Sequence, residues 1–193
     1  PVRYITNYSS GSQGYHISEC MHDFGADVTF ISGPTNLGVP RCKNFFQVQT
    51  ADEMYNAIPN NINFDVAICV AAVSDWKFSK KFKNKIKKED HNSLILDFEK
   101  NIDILYQICN FKNRPQLVIG FAAETQNIFQ NAKKKLVSKG CDWIIANDVN
   151  TKSGFMGKNE NEIKIITEDS SEDIKKTIKK EIALILTKKI IKE

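Results

Sequence analysis

The chain has 193 residues, 41% of them hydrophobic, and carries a formal net charge of +4. This length supports one domain with a sizeable core, and no apolar run reaches the roughly 20 residues that a membrane helix needs. The Lys-rich surplus suits an anionic partner, either a phosphorylated small molecule or nucleic acid.

Short β-rich runs alternate with amphipathic helical runs, the pattern of a doubly wound α/β fold. Residues 12–24 predict a helix, with Ile17, Cys20, Met21 and Phe24 on one face and Gly25 as its stop. Ala26–Ser32 predicts a strand ending in the Gly33-Pro34 turn, and Phe45–Val48 a short second one. Residues 51–58 read as a short helix capped by Thr50. Val66–Val73 is continuously apolar, as expected of a central parallel strand covered on both faces.

Residues 77–88 hold seven lysines and suggest a basic loop or flap. Leu94–Phe98 alternates like an exposed or edge strand. Ile102–Asn110 predicts a helix, Leu117–Ala122 a buried strand, and residues 126–139 a helix ended by Gly140. Trp143–Ala146 and Ile163–Thr167 are further strands. Residues 172–190 predict a closing helix, with Ile174, Ile178, Ile182 and Ile185 on one face. The five cysteines are odd in number and form no CxxC, which argues for free thiols in a reducing cytoplasm and against a disulfide frame or zinc site.

In open α/β sheets, ligands bind beyond the carboxyl ends of the strands. Four segments hold polar or small residues at such places. Arg3–Gly14 is rich in Ser and Gly and leads into a helix, so its amides can face an anion; alone it is equally a helix cap. Ala71–Trp76 leaves space after a buried strand, and Asp75 offers a carboxylate for a ribose or a metal ion, or simply opens a turn. Lys85–Lys88 places lysines on a loop able to close over a triphosphate, although such runs are commonly solvated surface. Gly120–Thr125 again ends a buried strand with small residues, with Phe121 either a core ring or a neighbour of a bound base.

The order of these segments resembles the bacterial phosphopantothenoylcysteine synthetase domain, commonly fused behind a flavin-dependent decarboxylase. The matching motifs are Val2–Gly14, Ile31–Pro34, Ala71–Asp75, Lys85–Lys88, Asn101–Leu105, Gly120–Thr125, Ala146–Val149, Gly154-Phe155 and Asn161-Glu162. They run through nearly the whole chain. The chain departs from the family at Ser12-Gln13, usually Lys-Met, and at Ile102, usually Pro. The family also begins with a strand and a Gly-Gly-Thr loop before the position of Pro1, so the resemblance implies a single ligase domain, 1–193, short of its first strand and part of its phosphate site.

The resemblance implies a Rossmann-like, mostly parallel sheet with helices on both faces. It implies a ligase that joins 4′-phosphopantothenate to cysteine through an acyl-cytidylate, using CTP with Mg²⁺. FMN would belong only to a fused decarboxylase outside this chain. Carried over by position, Lys85 stabilises the pyrophosphate leaving group, Asn7 holds the acyl carbonyl for the second half-reaction, and Arg3 helps bind the acyl intermediate. Ser10, Gly11 and Ala72 join Arg3 and Asn7 around the substrate. Cys69, Val70 and Ala71 meet the nucleotide through backbone atoms, and Asp75 meets ribose or metal. Ile102, Asp103, Ile104 and Leu105 lie along the triphosphate, Phe121 borders the base, and Lys135 and Lys139 reach the nucleotide from one helical face. A cytoplasmic homodimer is implied, with no membrane or nucleic-acid partner.

Two rivals are weaker. A nicotinamide-dependent oxidoreductase needs G-x-G-x-x-G after the first strand, and the Gly11–Gly14 pair lacks its first glycine. A nucleic-acid binder would interleave exposed aromatics with its basic residues or carry a recognisable motif, and the chain does neither.

Overall fold

The structure is a computed structural model, and it describes residues 9–59, 63–80, 95–124, 126–148 and 159–193. Helix α1 (Ser12–Asp23) is followed by strands β1 (Thr29–Ser32) and β2 (Asn44–Gln47), which pair in parallel as a small sheet. Helix α2 (Ala51–Asn56) starts at Thr50, whose hydroxyl accepts from the Glu53 amide at 3.1 Å. Strands β3 (Val66–Cys69), β6 (Leu117–Glu124) and β7 (Trp143–Asp148) form the parallel part of the main sheet. Strands β8 (Glu160–Ile166) and β9 (Ser171–Ile178) extend it antiparallel, giving the order β3-β6-β7-β8-β9. Between β3 and β6 lie an antiparallel arm, β4 (Trp76–Phe78) with β5 (Phe98–Lys100), and helix α3 (Ile104–Cys109). Helix α4 (Ile128–Lys139) precedes β7, and α5 (Lys179–Ile190) closes the chain.

Strand alternation divides the core into two layers. Leu117 and Ile119 of β6, and Trp143 and Ile145 of β7, face Ile17 and Cys20 of α1 and Ile182, Leu186 and Ile190 of α5. Val118 and Ala122 of β6, and Ile144 and Ala146 of β7, face Ile108 of α3 and Ala132 and Leu136 of α4. Helices thus cover both faces, as the apolar runs imply. At about 25 cal/mol per Å² of apolar surface, these near-fully buried strands supply the main stabilisation of the domain.

Four expectations change. The strand at Val66 ends at Cys69, four residues short of Val73, and Ala71 and Ala72 are exposed. The edge strand expected at Leu94–Phe98 begins only at Phe98 and runs to Lys100; it pairs with β4 through Phe78↔Phe98 and Trp76↔Lys100, while Leu94 lies outside the described residues. Phe24 caps α1 and is exposed instead of lining its buried face. The helix expected over 172–190 begins only at Lys179. Its first half is β9, because Ile163↔Ile174 and Glu160↔Ile178 pair across to β8.

Candidate functional site

The carboxyl ends of β3 and β6 lie side by side, with Cys69 opposite Gly120. Beyond β3, the loop at Ser74–Asp75 is tied to the loop before α3. The Asn101 side chain donates to the Ser74 carbonyl at 2.8 Å, and the Asn101 amide donates to the Asp75 carbonyl at 2.9 Å. Two segments that the sequence offered separately, 71–75 and 101–105, are thereby one structure. The Asp75 side chain is exposed and makes no hydrogen bond or ion pair with the described residues.

Helix α3 begins at Ile104, so Ile102 and Asp103 precede it instead of lying within it. Asp103 is its N-cap, and Oδ1 accepts from the Tyr106 amide at 3.0 Å. The other oxygen, Oδ2, pairs with Lys139 Nζ. Lys135, one turn earlier on α4, pairs with Glu124 at the end of β6 at 2.7 Å. Asn131 Nδ2 donates to the other Glu124 oxygen at 3.2 Å. Both candidate lysines are therefore held by carboxylates instead of reaching out free. Spacing alone placed them on one face; it did not reveal Glu124 and Asp103 as the groups that position them. The signal for Glu124 was its place in Gly120–Thr125, an acid just past a buried strand.

Leu105 packs directly over Gly120. A Cβ built there would lie 2.6 Å from Leu105 Cδ2 and 2.9 Å from Ile144 Cδ1. The small residue lets the first turn of α3 settle on the sheet. Cys69 belongs to this layer, and burial pushes its thiol up to about 12, so it is a neutral packing group at neutral pH.

Phe121 and Val70 lie in the other layer, against the core that faces α1 and α5. There Gly11 caps α1 with φ 70°, and Ser9 and Ser10 hydroxyls accept from the amides of Gly11 and Ser12, each at 3.4 Å. A Cβ at Gly14 would lie 3.8 Å from Val70 Cβ, which seats the first turn of α1 beside the end of β3. A cavity of about 140 Å³ opens between Gly11, Tyr15, Ser32, Gly33 and Thr35.

The candidate residues thus fall in two groups at one sheet edge. Cys69, Asp103, Ile104, Leu105, Lys135 and Lys139 gather on the α3/α4 side. Ser10, Gly11, Val70 and Phe121 gather on the α1/α5 side, with Ala71, Ala72 and Asp75 in the exposed loop between. A ring at Phe121 and a triphosphate at Asp103 would therefore lie across the edge from each other. Arg3, Asn7 and Lys85 lie outside the described residues.

No group of three or more His, Cys, Asp or Glu side chains among the described residues is arranged to hold a metal. The exposed Asp75 carboxylate, with no partner among the described residues, is of a kind that suits Mg²⁺, which is commonly bound through one or two carboxylates together with substrate phosphates. Among the described residues no helix is long and apolar enough to cross a membrane.

Residues 1–193 match the family described as the DNA/pantothenate metabolism flavoprotein C-terminal domain. The chain is 38% identical over 185 residues to the coenzyme A biosynthesis bifunctional protein CoaBC of Borreliella burgdorferi, covering 95% of this chain and 46% of that protein. It spans about half the length of the curated relatives it matches. Its fold matches the crystal structure of the C-terminal domain of a CoaBC protein with a TM-score of 0.78 and 34% identity, over 98% of this chain and 86% of that one. A Cab2 variant in complex with phosphopantothenate-cysteine matches with a TM-score of 0.71 over 99% of this chain and 82% of that one; at 14% identity, that likeness concerns the fold alone.

Proposed function

The chain belongs to the family of DNA/pantothenate metabolism flavoprotein C-terminal domains, and from that premise we propose that it is the ligase domain that joins 4′-phosphopantothenate to cysteine in coenzyme A synthesis. The observation that carries this is the family match across residues 1–193, supported by the described parts of two motif segments, 71–75 and 120–124, which follow or end the adjacent strands β3 and β6. The name of the Cab2 complex, phosphopantothenate-cysteine, is the product such a reaction forms.

A carboxylate does not acylate an amine at neutral pH, so it must first be activated. In the proposed first half-reaction, the phosphopantothenate carboxylate attacks the α-phosphorus of CTP. The bond to the β-phosphate oxygen breaks and pyrophosphate leaves. Lys85 neutralises charge building on that leaving group. In the second, the cysteine amine attacks the acyl carbonyl, expels CMP and gives up its proton. Asn7 donates to the carbonyl oxygen as it becomes an oxyanion, and Arg3 anchors the acyl intermediate. Ser10, Gly11 and Ala72 shape the substrate side.

On the nucleotide side, Lys135 and Lys139 supply positive charge, held in position by Glu124 and Asp103. Asp75 would share Mg²⁺ with the triphosphate, and the metal would supply charge neutralisation. The proposed protein is a cytoplasmic homodimer. FMN would serve only a decarboxylase domain of a longer, bifunctional protein.

The test supplies 4′-phosphopantothenate and Mg²⁺ to the full-length protein and compares CTP with ATP for pyrophosphate release, with and without cysteine. Release with CTP and product only with cysteine is expected. Absence of release with either nucleotide overturns the assignment. Asn7→Asp should still release pyrophosphate but form little cysteine adduct; an equal loss of both half-reactions would remove the role given to Asn7.

A further inference from the structure

Three free cysteines meet in the α3/α4 layer: Cys69 ending β3, Cys109 ending α3, and Cys141 in the turn into β7. The Cys109 and Cys141 thiols act on each other across the turn, and the Cys141 thiol also donates to the Leu136 carbonyl at 4.0 Å. The backbone on both sides is pinned. Arg114, in the loop after α3, donates to the Gly140 carbonyl at 3.1 Å and to Asp142 Oδ2 at 2.8 Å, on either side of Cys141. Asp142 Oδ2 also accepts from the Val118 amide at 2.6 Å. A Cβ at Gly140 would lie 4.0 Å from Cys109 Cβ, so the end of α3 touches this turn.

We propose that Cys109 and Cys141 are a thiol pair that closes to a reversible disulfide when the protein meets hydrogen peroxide. The two sulfurs divide the work by their surroundings. Cys109 is half-buried, so peroxide can reach it, whereas Cys141 is only 7% exposed. The facing Cys141 thiol and the nearby Arg114 guanidinium hold the Cys109 thiol below its ordinary range. The same facing pair, with burial, holds Cys141 above it.

Cys109 as thiolate attacks one peroxide oxygen. The O–O bond breaks, hydroxide leaves and takes up a proton, and Cys109 becomes a sulfenic acid. Cys141 then attacks that sulfur, the S–O bond breaks, and a second water leaves with the Cys141 proton. Two thiols are oxidised by two electrons, and one peroxide is reduced to two waters. Cys69 stays a bystander because its thiol, buried at the end of β3, is not the one that faces Cys109. The bond would lock the end of α3 to the turn after α4, beside the Asp103–Lys139 pair. This inference does not depend on the proposed ligase activity.

The test treats reduced full-length protein with hydrogen peroxide, alkylates the remaining thiols, digests without reductant and maps the peptides by mass spectrometry. A linked Cys109–Cys141 peptide pair, two hydrogens lighter than the reduced pair and released by dithiothreitol, is expected. In Cys141→Ser, dimedone should trap Cys109 as its sulfenic acid. The proposal is overturned if Cys109 and Cys141 are both alkylated at a dose that oxidises Cys42. It is equally overturned if either is linked to Cys69 instead. The wild-type map decides the matter even where the Ser variant fails to fold.

Discussion

Gly120 lacks a side chain where Leu105 and Ile144 leave no room for one. Gly120→Ala should force both side chains off their present packing and lift the first turn of α3, at a cost of about 1–3 kcal/mol in urea unfolding. An unchanged midpoint would mean that α3 does not bear on β6 as described. Asp103 serves two partners at once, the Tyr106 amide and Lys139. Asp103→Asn keeps a cap acceptor and loses the ion pair, which is half-exposed, so it should cost less than about 1 kcal/mol. Asp103→Ala loses both and should cost about 1 kcal/mol more. If the proposed nucleotide site is right, both variants should also raise the KM for CTP, because Lys139 is no longer held. Equal stability of the Asn and Ala variants would refute the capping role.

At the scale of elements, α1 and α5 cover one face of the sheet and bring three basic groups together. His16 of α1 faces Lys179 and Lys180 of α5, with Glu19 of its own helix opposing them. Burial first, and the two lysines next, hold its imidazolium below the ordinary histidine range. Unfolded, His16 binds a proton near pH 6.5; folded, it resists until lower pH. Stability from this group is therefore intact above about pH 6.5 and declines as pH falls below it, because the unfolded chain takes up the proton first. The urea midpoint should drop between pH 7.5 and 5.5, and His16→Gln should flatten that slope. A variant with the same pH slope as the wild type would exclude His16 as its source.

Strand β9 shows at the same scale how a local pattern misleads. Ile174, Ile178, Ile182 and Ile185 recur at helical spacing, yet Ile174 and Ile178 lie on a strand and only Ile182 is fully buried on α5. The buried helix face is instead Ile182, Ala183, Leu186, Thr187 and Ile190. Pairing with β8 supplies hydrogen bonds that no sequence window contains, and it overrides the periodicity. By contrast, α4 was readable because Gly140 supplies the left-handed residue that ends a helix, with φ 73°.

At the scale of the whole molecule, the arm formed by β4 and β5 carries apolar side chains that the rest of the described chain leaves uncovered. Ile95 is 88% exposed and Trp76 is 53% exposed, while Phe78 and Phe98 rest on each other at 4.8 Å. This is the surface the proposed homodimer would cover. Light scattering at micromolar concentration should give twice the chain mass, and Trp76→Glu with Ile95→Glu should halve it. A monomeric wild type would count against the arm as an interface.

By itself the sequence determined the α/β class, the buried strands at Leu117 and Trp143, and the ordered segments that carry the family resemblance. These depend on local alternation and on residue identity, both of which a single chain displays. Only the tertiary structure decided that Lys135 and Lys139 are held by Glu124 and Asp103, that Asn101 joins two site segments, and that Phe121 faces away from Leu105 across the sheet. Those outcomes depend on which strands lie side by side and which faces they present, and contacts between residues distant in the chain set both.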